Sequence, residues 1–323
     1  MKSEVKAEKT MSCPECEVRC QRFGTHRNGL RRFRCPQCKK TYTEAHRLTL
    51  GEMYVSEEKA IMALKLLVEG NSIRSTMRIT GMDGNTITKI LVLAGERCEK
   101  LMGRLIVNVP VTDVQADEIW GYVQKKEAHK APFEADDKNI GDAYCFVAID
   151  RNTKLVLNFA LGRRDQKTTD AFIEGLRAAT APQHFQITTD GFAPYVSAIT
   201  TTLSDRCDYA QLIKVYAAPR EGEQRYSPAD VVEALPKPIM GDPDPAKICT
   251  SHVERQNLTI RMQMRRMTRL TNAFSKKWDN LWSAYCLHFA FYNFCRIHKT
   301  LRVTPAMEAR LTNRVWELAE LLA

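Results

Sequence analysis

The stretch Val-Thr-Asp-Val-Gln-Ala-Asp-Glu-Ile-Trp-Gly-Tyr-Val, residues 111–123, decides the fold of this chain. Its β-branched and aromatic residues favour an extended strand. The strand also carries acidic residues, among them Asp117 and Glu118 near its middle. Carboxylates grouped in an apolar strand cost free energy unless a partner compensates their charge.

The elements that follow this strand predict an α/β core. A polar loop leads to a strand hairpin, then a helix, then a fourth strand that ends in Thr189-Asp190-Gly191. The predicted ranges are 124–142 for the loop, 143–150 and 155–161 for the hairpin, 168–179 for the helix and 185–191 for the fourth strand. This is the element order of a ribonuclease-H-like core, in which the first and fourth strands lie side by side. Asp117 and Asp190 would then be neighbours.

A third acid, Glu254, lies at the start of a long helical stretch. Taken singly, each acid has an ordinary explanation: Asp117 as a polar residue on an edge strand, Asp190 as the start of a turn, and Glu254 as a favourable charge at a helix N-terminus. Together they predict a site for two Mg²⁺ ions, or Mn²⁺, which accepts the same oxygen ligands. Side-chain alternation along a strand turns Glu118 to the opposite face, so we expect it to lie outside this set.

The N-terminal region carries a cysteine pattern typical of a zinc ribbon. Two C-x2-C pairs are separated by an eighteen-residue spacer, and they consist of Cys13, Cys16, Cys35 and Cys38. Four thiolates complete a tetrahedron around Zn²⁺ and leave no open position, so the site would be structural. The spacer predicts a hairpin. We expect Cys20 to be a spare thiol and His26 to be a surface residue.

Residues 51–108 predict three helices. The first runs from Ser56 towards Gly70, the second covers 72–79, and the third begins near Gly84 and runs towards Cys98. A tight glycine-bearing turn between the second and third matches a helix-turn-helix, but an ordinary three-helix packing unit fits this segment equally well. Its position after a basic zinc ribbon favours DNA. The start of the recognition helix would then carry Asn85, Thr86, Thr88 and Lys89.

Two segments near the third acid differ from a compact core. Residues 219–248 contain six prolines, which predict an irregular surface insertion between Asp190 and Glu254. Residues 255–302 hold ten Lys and Arg against one acid, Asp279. On a continuous helix Arg261 and Arg265 would share a side with Glu254, where they would meet DNA phosphates first. The alternative is a solvated helix face. We expect the aromatic residues between Trp278 and Phe294 to pack in the core.

Composition agrees with a polyanion partner. The chain has 323 residues, with 44% hydrophobic and 27% charged residues and a formal net charge of +10. Residues 1–110 hold 20 basic against 12 acidic residues, a net charge of +8. No stretch approaches the roughly 20 apolar residues that a membrane span needs, and no signal peptide is evident. These features favour a reduced, cytoplasmic protein that binds nucleic acid, whereas a merely soluble basic surface is the alternative.

Four motifs together resemble the DDE transposases of the insertion-sequence-one type. They are Asp117-Glu118-Ile119-Trp120, Thr189-Asp190-Gly191, His252-Val253-Glu254-Arg255-Gln256-Asn257 and the ending 292–305. The resemblance covers nearly the whole chain, because members of that group also begin with a cysteine-pair zinc module and a helix-turn-helix. It implies that Asp117, Asp190 and Glu254 form the acid triad. The chain differs from other DDE enzymes in the length of the segment between Asp190 and Glu254, which has 63 residues here.

We therefore expect a multidomain transposase. The predicted parts are a zinc ribbon at 1–50, a helix-turn-helix domain at 51–108, a ribonuclease-H-like catalytic domain at 109–275 and a C-terminal helical segment at 276–323. It would cleave DNA and transfer strands at the inverted-repeat ends of its own element, as a homodimer or higher oligomer on DNA. The alternatives are a DNA-binding regulator with an inactive ribonuclease-H-like scaffold and a nuclease that hydrolyses RNA–DNA hybrids.

Overall fold

The computed structural model describes residues 11–26, 30–44, 50, 53–217 and 231–322. The chain divides into two compact units, Met1–Met62 and Ala63–Ala323. The four-domain division predicted from the sequence is finer than this, and its boundaries stay a prediction. Within the described ranges, no helix combines the length and the apolar character that crossing a bilayer requires.

The first unit contains a small antiparallel sheet. Its strands are β1 (Gln21–Thr25), β2 (Arg31–Arg34) and β3 (Thr41–Thr43), in the order β1-β2-β3. The hairpin of β1 and β2 occupies the spacer between the cysteine pairs, as the sequence predicts. Its small core consists of Phe33 with Cys13, Cys20 and Cys35. A core this small needs a further stabilising element such as a metal.

Three helices follow: α1 (Glu57–Val68), α2 (Ile73–Thr80) and α3 (Gly84–Leu105). The turn between α2 and α3 is built by Gly81, which takes the left-handed conformation with φ +68°, and by Asp83, whose carboxylate accepts a hydrogen bond from the Asn85 amide at 2.8 Å. Helix α3 extends to Leu105, well beyond the expected end near Cys98. Its apolar face continues beyond Cys98 to Met102, which is buried, and this packing accounts for the greater length.

The second unit is built on a mixed six-stranded sheet with the order β6-β5-β4-β7-β8-β9. Its strands and the helices between them are β4 (Asp113–Val123), β5 (Gly141–Asp150), β6 (Val156–Gly162), α4 (Gln166–Ala179), β7 (Phe185–Thr189), α5 (Pro194–Thr202), β8 (Cys207–Tyr216) and β9 (Val231–Met240). The first and fourth of these strands, β4 and β7, pair in parallel. This arrangement is consistent with a ribonuclease-H-like core.

Strand β9 corrects the expectation that 219–248 is irregular throughout. Residues 231–240 form an edge strand antiparallel to β8, and residues 218–230 lie outside the described part of the chain. Pro236 and Pro238 are compatible with it because an edge strand has one side without a strand partner, where a missing N–H costs nothing. The proline count therefore misled the prediction.

The C-terminal region contains α6 (Ser251–Gln263), α7 (Trp278–Ala290) and the short α8 (Pro305–Glu308). Helix α6 ends before Arg265, which lies in a 3-10 turn, so the expected continuous helix through Arg261 and Arg265 is wrong. Helix α7 continues into a π-helical turn and buries Tyr285, Phe289 and Phe294, which agrees with the core interpretation of the aromatic stripe. Helix α3 packs so closely on α7 that a Cβ atom at Gly95 would lie 2.4 Å from the Cβ of Ser283.

Candidate active site and nucleic-acid interface

Strand register brings the first two acids of the predicted triad together. Gln115 of β4 pairs with Thr188 of β7, and Asp117 and Asp190 each lie two residues further along their parallel strands. Both acids therefore lie at the same level of the sheet, just where β7 ends. Carboxylate oxygens of Asp117, Glu118 and Asp190 lie within 4.8 Å of one another. The expectation that Glu118 lies apart from the other acids is thus wrong.

Side-chain direction alone could not place Glu118. Pairing of β4 with β7 covers only Asp113–Gln115, so the edge of β4 beside Asp117 and Glu118 is not covered by β7. A glutamate side chain has three rotatable bonds and can reach around such an open edge. Alternation fixes the direction of the Cα–Cβ bond but not the position of a carboxylate four bonds from the backbone.

Glu254 reaches the same region from α6. Two hydrogen bonds to the side-chain carbonyl of Gln115, from the amides of His252 at 2.8 Å and Val253 at 3.2 Å, anchor the start of this helix to β4. Glu254 interacts electrostatically with Asp117 and Asp190, although it is not part of the 4.8 Å cluster. Its carboxylate accepts hydrogen bonds from Lys214 and from Thr250.

A second residue of α6, which was not predicted from the sequence, also lies at this site. The Asn257 amide donates to Asp117 Oδ2 at 2.8 Å, and the backbone amide of Glu118 donates to Asp117 Oδ1 at 2.8 Å. Asn257 follows Glu254 by three residues, a spacing that places both on one helix face. That spacing was visible in the sequence and could have identified Asn257.

The electrostatics of the cluster disfavour the ionised form of its acids. Burial and the nearby charges of Asp190 and Glu118 raise the pKa of Asp117 to about 8. Burial also raises the pKa of Asp190, and that of Glu118 against the opposing effect of Arg164. Buried acids with raised pKa values in one cluster are typical of functional sites. Their oxygen ligands suit a hard divalent cation, which would relieve the repulsion.

Comparison with protein families identifies the part of the domain that contains Asp190. Residues 139–224 match the family model of the DDE domain of IS240-type transposases. The chain therefore carries the DDE domain of an insertion-sequence-type transposase. The matched model belongs to the IS240 type, which corrects the expected insertion-sequence-one type, and it contains Asp190 but neither Asp117 nor Glu254. A comparison with curated proteins gave no match. As a member of the DDE transposases, this enzyme is a polynucleotidyl transferase that acts on DNA with divalent metal.

The transposase has a second candidate metal site in its N-terminal unit. Sulfur atoms of Cys13, Cys16, Cys35 and Cys38 lie within 4.8 Å of one another, and all four thiols are free. The hydroxyl of Tyr42 lies 3.2 Å from the Cys13 sulfur and lowers the pKa of that thiol to about 6. Neither Cys20, which is buried in the core, nor His26 belongs to this cluster. The donor set could hold zinc.

The transposase also has an open cleft of about 1440 Å³ in its second unit. One wall carries Asn85, Thr88 and Lys89 of α3, together with Arg74 of α2. The facing wall is formed by the segment after α6 and the start of α7, with four basic residues: Arg265, Arg266, Lys276 and Lys277. Asp83 and Glu96 are acids in the same lining, so positive charge predominates. We call this feature the basic cleft.

Four of the six predicted DNA-binding residues line the basic cleft, and two do not. Asn85, Thr88, Lys89 and Arg265 line the basic cleft, although Arg265 lies far from the other three in sequence. Thr86 is not in the lining. Arg261 is half-buried, and its guanidinium donates to the carbonyls of Met267 at 2.9 Å and Trp120 at 3.0 Å. It therefore fastens the turn after α6 to β4, in place of the exposed phosphate contact expected from the sequence.

Proposed function

We propose that this transposase cleaves DNA at the inverted-repeat ends of its own insertion sequence and transfers the freed strand ends to target DNA. The observation that carries the proposal is the position of Asp117 and Asp190 at the end of β7, beside a helix whose Glu254 interacts electrostatically with both. Phosphodiester transfer needs several carboxylates at one point, and a fold with no catalytic duty has no use for such repulsion.

Asp117, Asp190 and Glu254 would hold Mg²⁺ or Mn²⁺ in this proposal. Such ions activate the attacking oxygen and stabilise the leaving oxygen of a phosphodiester. The protein's own contribution is to orient the ligands. Asn257 fixes the orientation of the Asp117 carboxylate, and Gln115 fixes the start of the helix that carries Glu254. Lys214, which bonds Glu254, would have to give up that contact when Glu254 takes a metal.

DNA binding would use the N-terminal modules and the basic cleft. We infer a zinc ribbon at 1–50, held by Zn²⁺ on Cys13, Cys16, Cys35 and Cys38, and a helix-turn-helix at 51–108. The residues Asn85, Thr86, Thr88 and Lys89 would contact the inverted repeat. Support comes from the turn at Gly81–Asp83 and from the basic residues that face α3 across the cleft. Amide and hydroxyl groups suit base edges, and the surrounding lysines and arginines suit phosphates.

We expect the enzyme to act on DNA as a homodimer or higher oligomer, in the cytoplasm or nucleoid where its element lies. Cutting two ends of one element and joining them to one target needs two active sites held together. The catalytic domain would span 109–275, with the C-terminal segment 276–323 packed on it through α7.

Strand cleavage tests this function. A labelled duplex that carries the DNA flanking the gene is incubated with Mg²⁺ and either the wild-type protein or Asp190→Asn. Asparagine keeps the shape of the side chain but removes its charge. The expected result is cleavage at one fixed position by the wild type and loss of at least about 10³ in rate in the variant.

A matched control is Asp205→Asn, which removes an exposed acid that pairs with Arg177 outside the cluster. This control should cleave like the wild type. Specific binding of the duplex without cleavage by the wild type would contradict the proposal and favour the DNA-binding regulator. Cleavage of RNA–DNA hybrids in preference to the duplex would favour the nuclease.

A further inference from the structure

Glu118 belongs to the acid cluster by distance, but protein groups occupy both of its oxygens. Oε1 accepts a hydrogen bond from Arg164 Nε at 2.5 Å, and Oε2 accepts one from the Tyr195 hydroxyl at 3.2 Å. The Glu118 side chain is only 4% exposed, and Tyr195 is fully buried. A carboxylate that is held in this way differs from Asp117 and Asp190. Its role is to hold a cationic side chain of the protein itself.

Arg164 is the cation that Glu118 holds. It lies in the turn between β6 and α4, and its guanidinium stacks over the Phe192 ring at 3.9 Å. The Glu118 bond and this stacking fix the guanidinium plane, and they bring Nη2 to 3.8 Å from Asp190 Oδ2. Within the described ranges neither Nη atom of Arg164 has a hydrogen bond to protein, and the side chain is 40% exposed. Two N–H-bearing nitrogens therefore remain available at the edge of the candidate active site.

We propose that Arg164 binds the non-bridging oxygens of the phosphate at which the DNA strand is cut, and that Glu118 is a positioning residue for Arg164 and not a metal ligand. This proposal rests on the proposed function. In the cleavage step a water oxygen forms a bond to phosphorus while the bond between phosphorus and the 3′-oxygen breaks. The water proton is lost to solvent, and the 3′-oxygen takes up a proton.

Arg164 suits this role because negative charge on the non-bridging oxygens must be stabilised throughout that step. A guanidinium presents its donors in a fixed plane that matches two phosphate oxygens, which an ammonium group cannot do. Donors that are already oriented cost no reorganisation during the reaction. Glu118, Tyr195 and Phe192 supply that orientation here.

The test compares metal affinity, DNA affinity and cleavage in four variants. They are Arg164→Gln, Arg164→Lys, Glu118→Gln and, as the metal-ligand reference, Asp117→Asn. Arg177→Gln is the matched control, because Arg177 also pairs with one carboxylate and has nearly the same exposure, 38%. Mn²⁺ affinity of the DNA-free protein is measured by calorimetry. Single-turnover cleavage is measured with Mg²⁺, and DNA affinity is measured with Ca²⁺ in place of Mg²⁺.

We expect Glu118→Gln and Arg164→Gln to keep Mn²⁺ affinity within about threefold of the wild type, whereas Asp117→Asn loses about tenfold or more. Cleavage should fall about 10²–10³-fold in Arg164→Gln and less in Arg164→Lys and Glu118→Gln. A neutral methylphosphonate at the cleaved position should weaken DNA binding by the wild type. It should weaken binding by Arg164→Gln less than binding by the wild type, because the contact with residue 164 is already lost in the variant and only the contact with the metal remains. Arg177→Gln should match the wild type throughout.

Three results would overturn the proposal. Loss of Mn²⁺ affinity in Glu118→Gln, equal to that in Asp117→Asn, would make Glu118 a ligand. Cleavage by Arg164→Gln at the wild-type rate would remove Arg164 from the reaction. A third result would combine two readouts: Arg164→Gln would bind Mn²⁺ much more tightly than the wild type, and the methylphosphonate would weaken its DNA binding as much as that of the wild type. Arg164 would then only neutralise the acids in the absence of metal and would not bind the phosphate. If the wild type does not cleave, the proposed function fails, while the metal and DNA affinities still decide the roles of Glu118 and Arg164. If Glu118→Gln does not fold, Arg164→Gln carries the test.

Discussion

Replacing Asp117 with asparagine should stabilise the metal-free transposase. In the folded protein, burial and the charges of Asp190 and Glu118 raise the pKa of Asp117 from 3.8 to about 8. At pH 7 the unfolded chain therefore releases a proton that the folded chain retains, and folding is penalised. Asparagine resembles the protonated acid and can still accept the hydrogen bond from Asn257, so it avoids this penalty.

The size of the effect follows from the pKa difference. The penalty accumulates as pH rises from about 4 towards 8, at about 1.4 kcal/mol per pH unit, which gives an upper limit of about 4 kcal/mol at pH 7. Asp117 is half-buried, and salt screens part of the repulsion, so we expect about 2 kcal/mol. For a unit of this size that corresponds to a rise in Tm of about 4–8 °C.

The assay is thermal unfolding followed by circular dichroism in magnesium-free buffer. Strong chelators are avoided because they would also remove metal from the cysteine cluster. The control is Asp170→Asn, which removes an acid on α4 whose carboxylate accepts a hydrogen bond from the Gln166 side chain at 2.7 Å. It should shift Tm by no more than about 1 °C. A folded Asp117→Asn protein that melts at or below the wild-type temperature would refute the reasoning, because the acids would then not repel one another.

Three further predictions concern other parts of the molecule. Burial lowers the pKa of His288 to about 3, so the unfolded chain binds a proton below pH 6.5 that the folded chain does not. The cost from this histidine grows by about 2 kcal/mol between pH 6.5 and 5, so the free energy of unfolding of His288→Gln, measured in urea titrations at both pH values, should rise by about that much relative to the wild type. Gly95→Ala should lower the free energy of unfolding by about 1–3 kcal/mol. The control Gly103→Ala, where a Cβ meets no atom within 4 Å, should not lower it. Equal midpoints of denaturant unfolding for the two variants would contradict the close packing of α3 on α7. Cys35→Ser should abolish stoichiometric zinc, measured by metal analysis of the purified protein, and a retained ion would exclude a four-cysteine site.

The α/β core could be predicted because its signals are local. Each strand of the hairpin and the fourth strand is a short apolar run, and the helix between them has its own apolar face. Pairing of β4 with β7 then followed from element order, and it brought Asp117 and Asp190 together. Strand β9 could not be predicted in this way, because its residues are exposed and contain prolines at alternate positions. Its pairing depends on β8, which no local pattern reveals.

The remaining parts of the site depend on contacts between distant segments. Arg164 was one basic residue among many in the sequence, and Tyr195 was an aromatic residue at the start of a helix. Only the fold brings them to the two oxygens of Glu118, 46 and 77 residues away. Likewise, the position of Arg261 on a helix suggests DNA binding, but the turn after α6 folds back, and the Arg261 guanidinium donates a hydrogen bond to a carbonyl of that turn. A basic residue near an acid triad can bind substrate or hold the protein together, and its sequence position does not distinguish the two.

The contrast between Glu118 and its neighbour Asp117 shows what distinguishes a metal ligand from an anchor. Both lie on one strand, both are largely buried, and burial raises the pKa of both. Among the described residues, Asp117 receives hydrogen bonds only from an amide side chain and a backbone amide, which orient the carboxylate and leave its charge uncompensated. Glu118 is paired with a guanidinium, so its charge is already balanced within the protein. A divalent cation gains most from the acid whose charge is unpaired. The partners of each carboxylate, more than its distance from the other acids, therefore argue that Asp117 binds metal and that Glu118 holds Arg164.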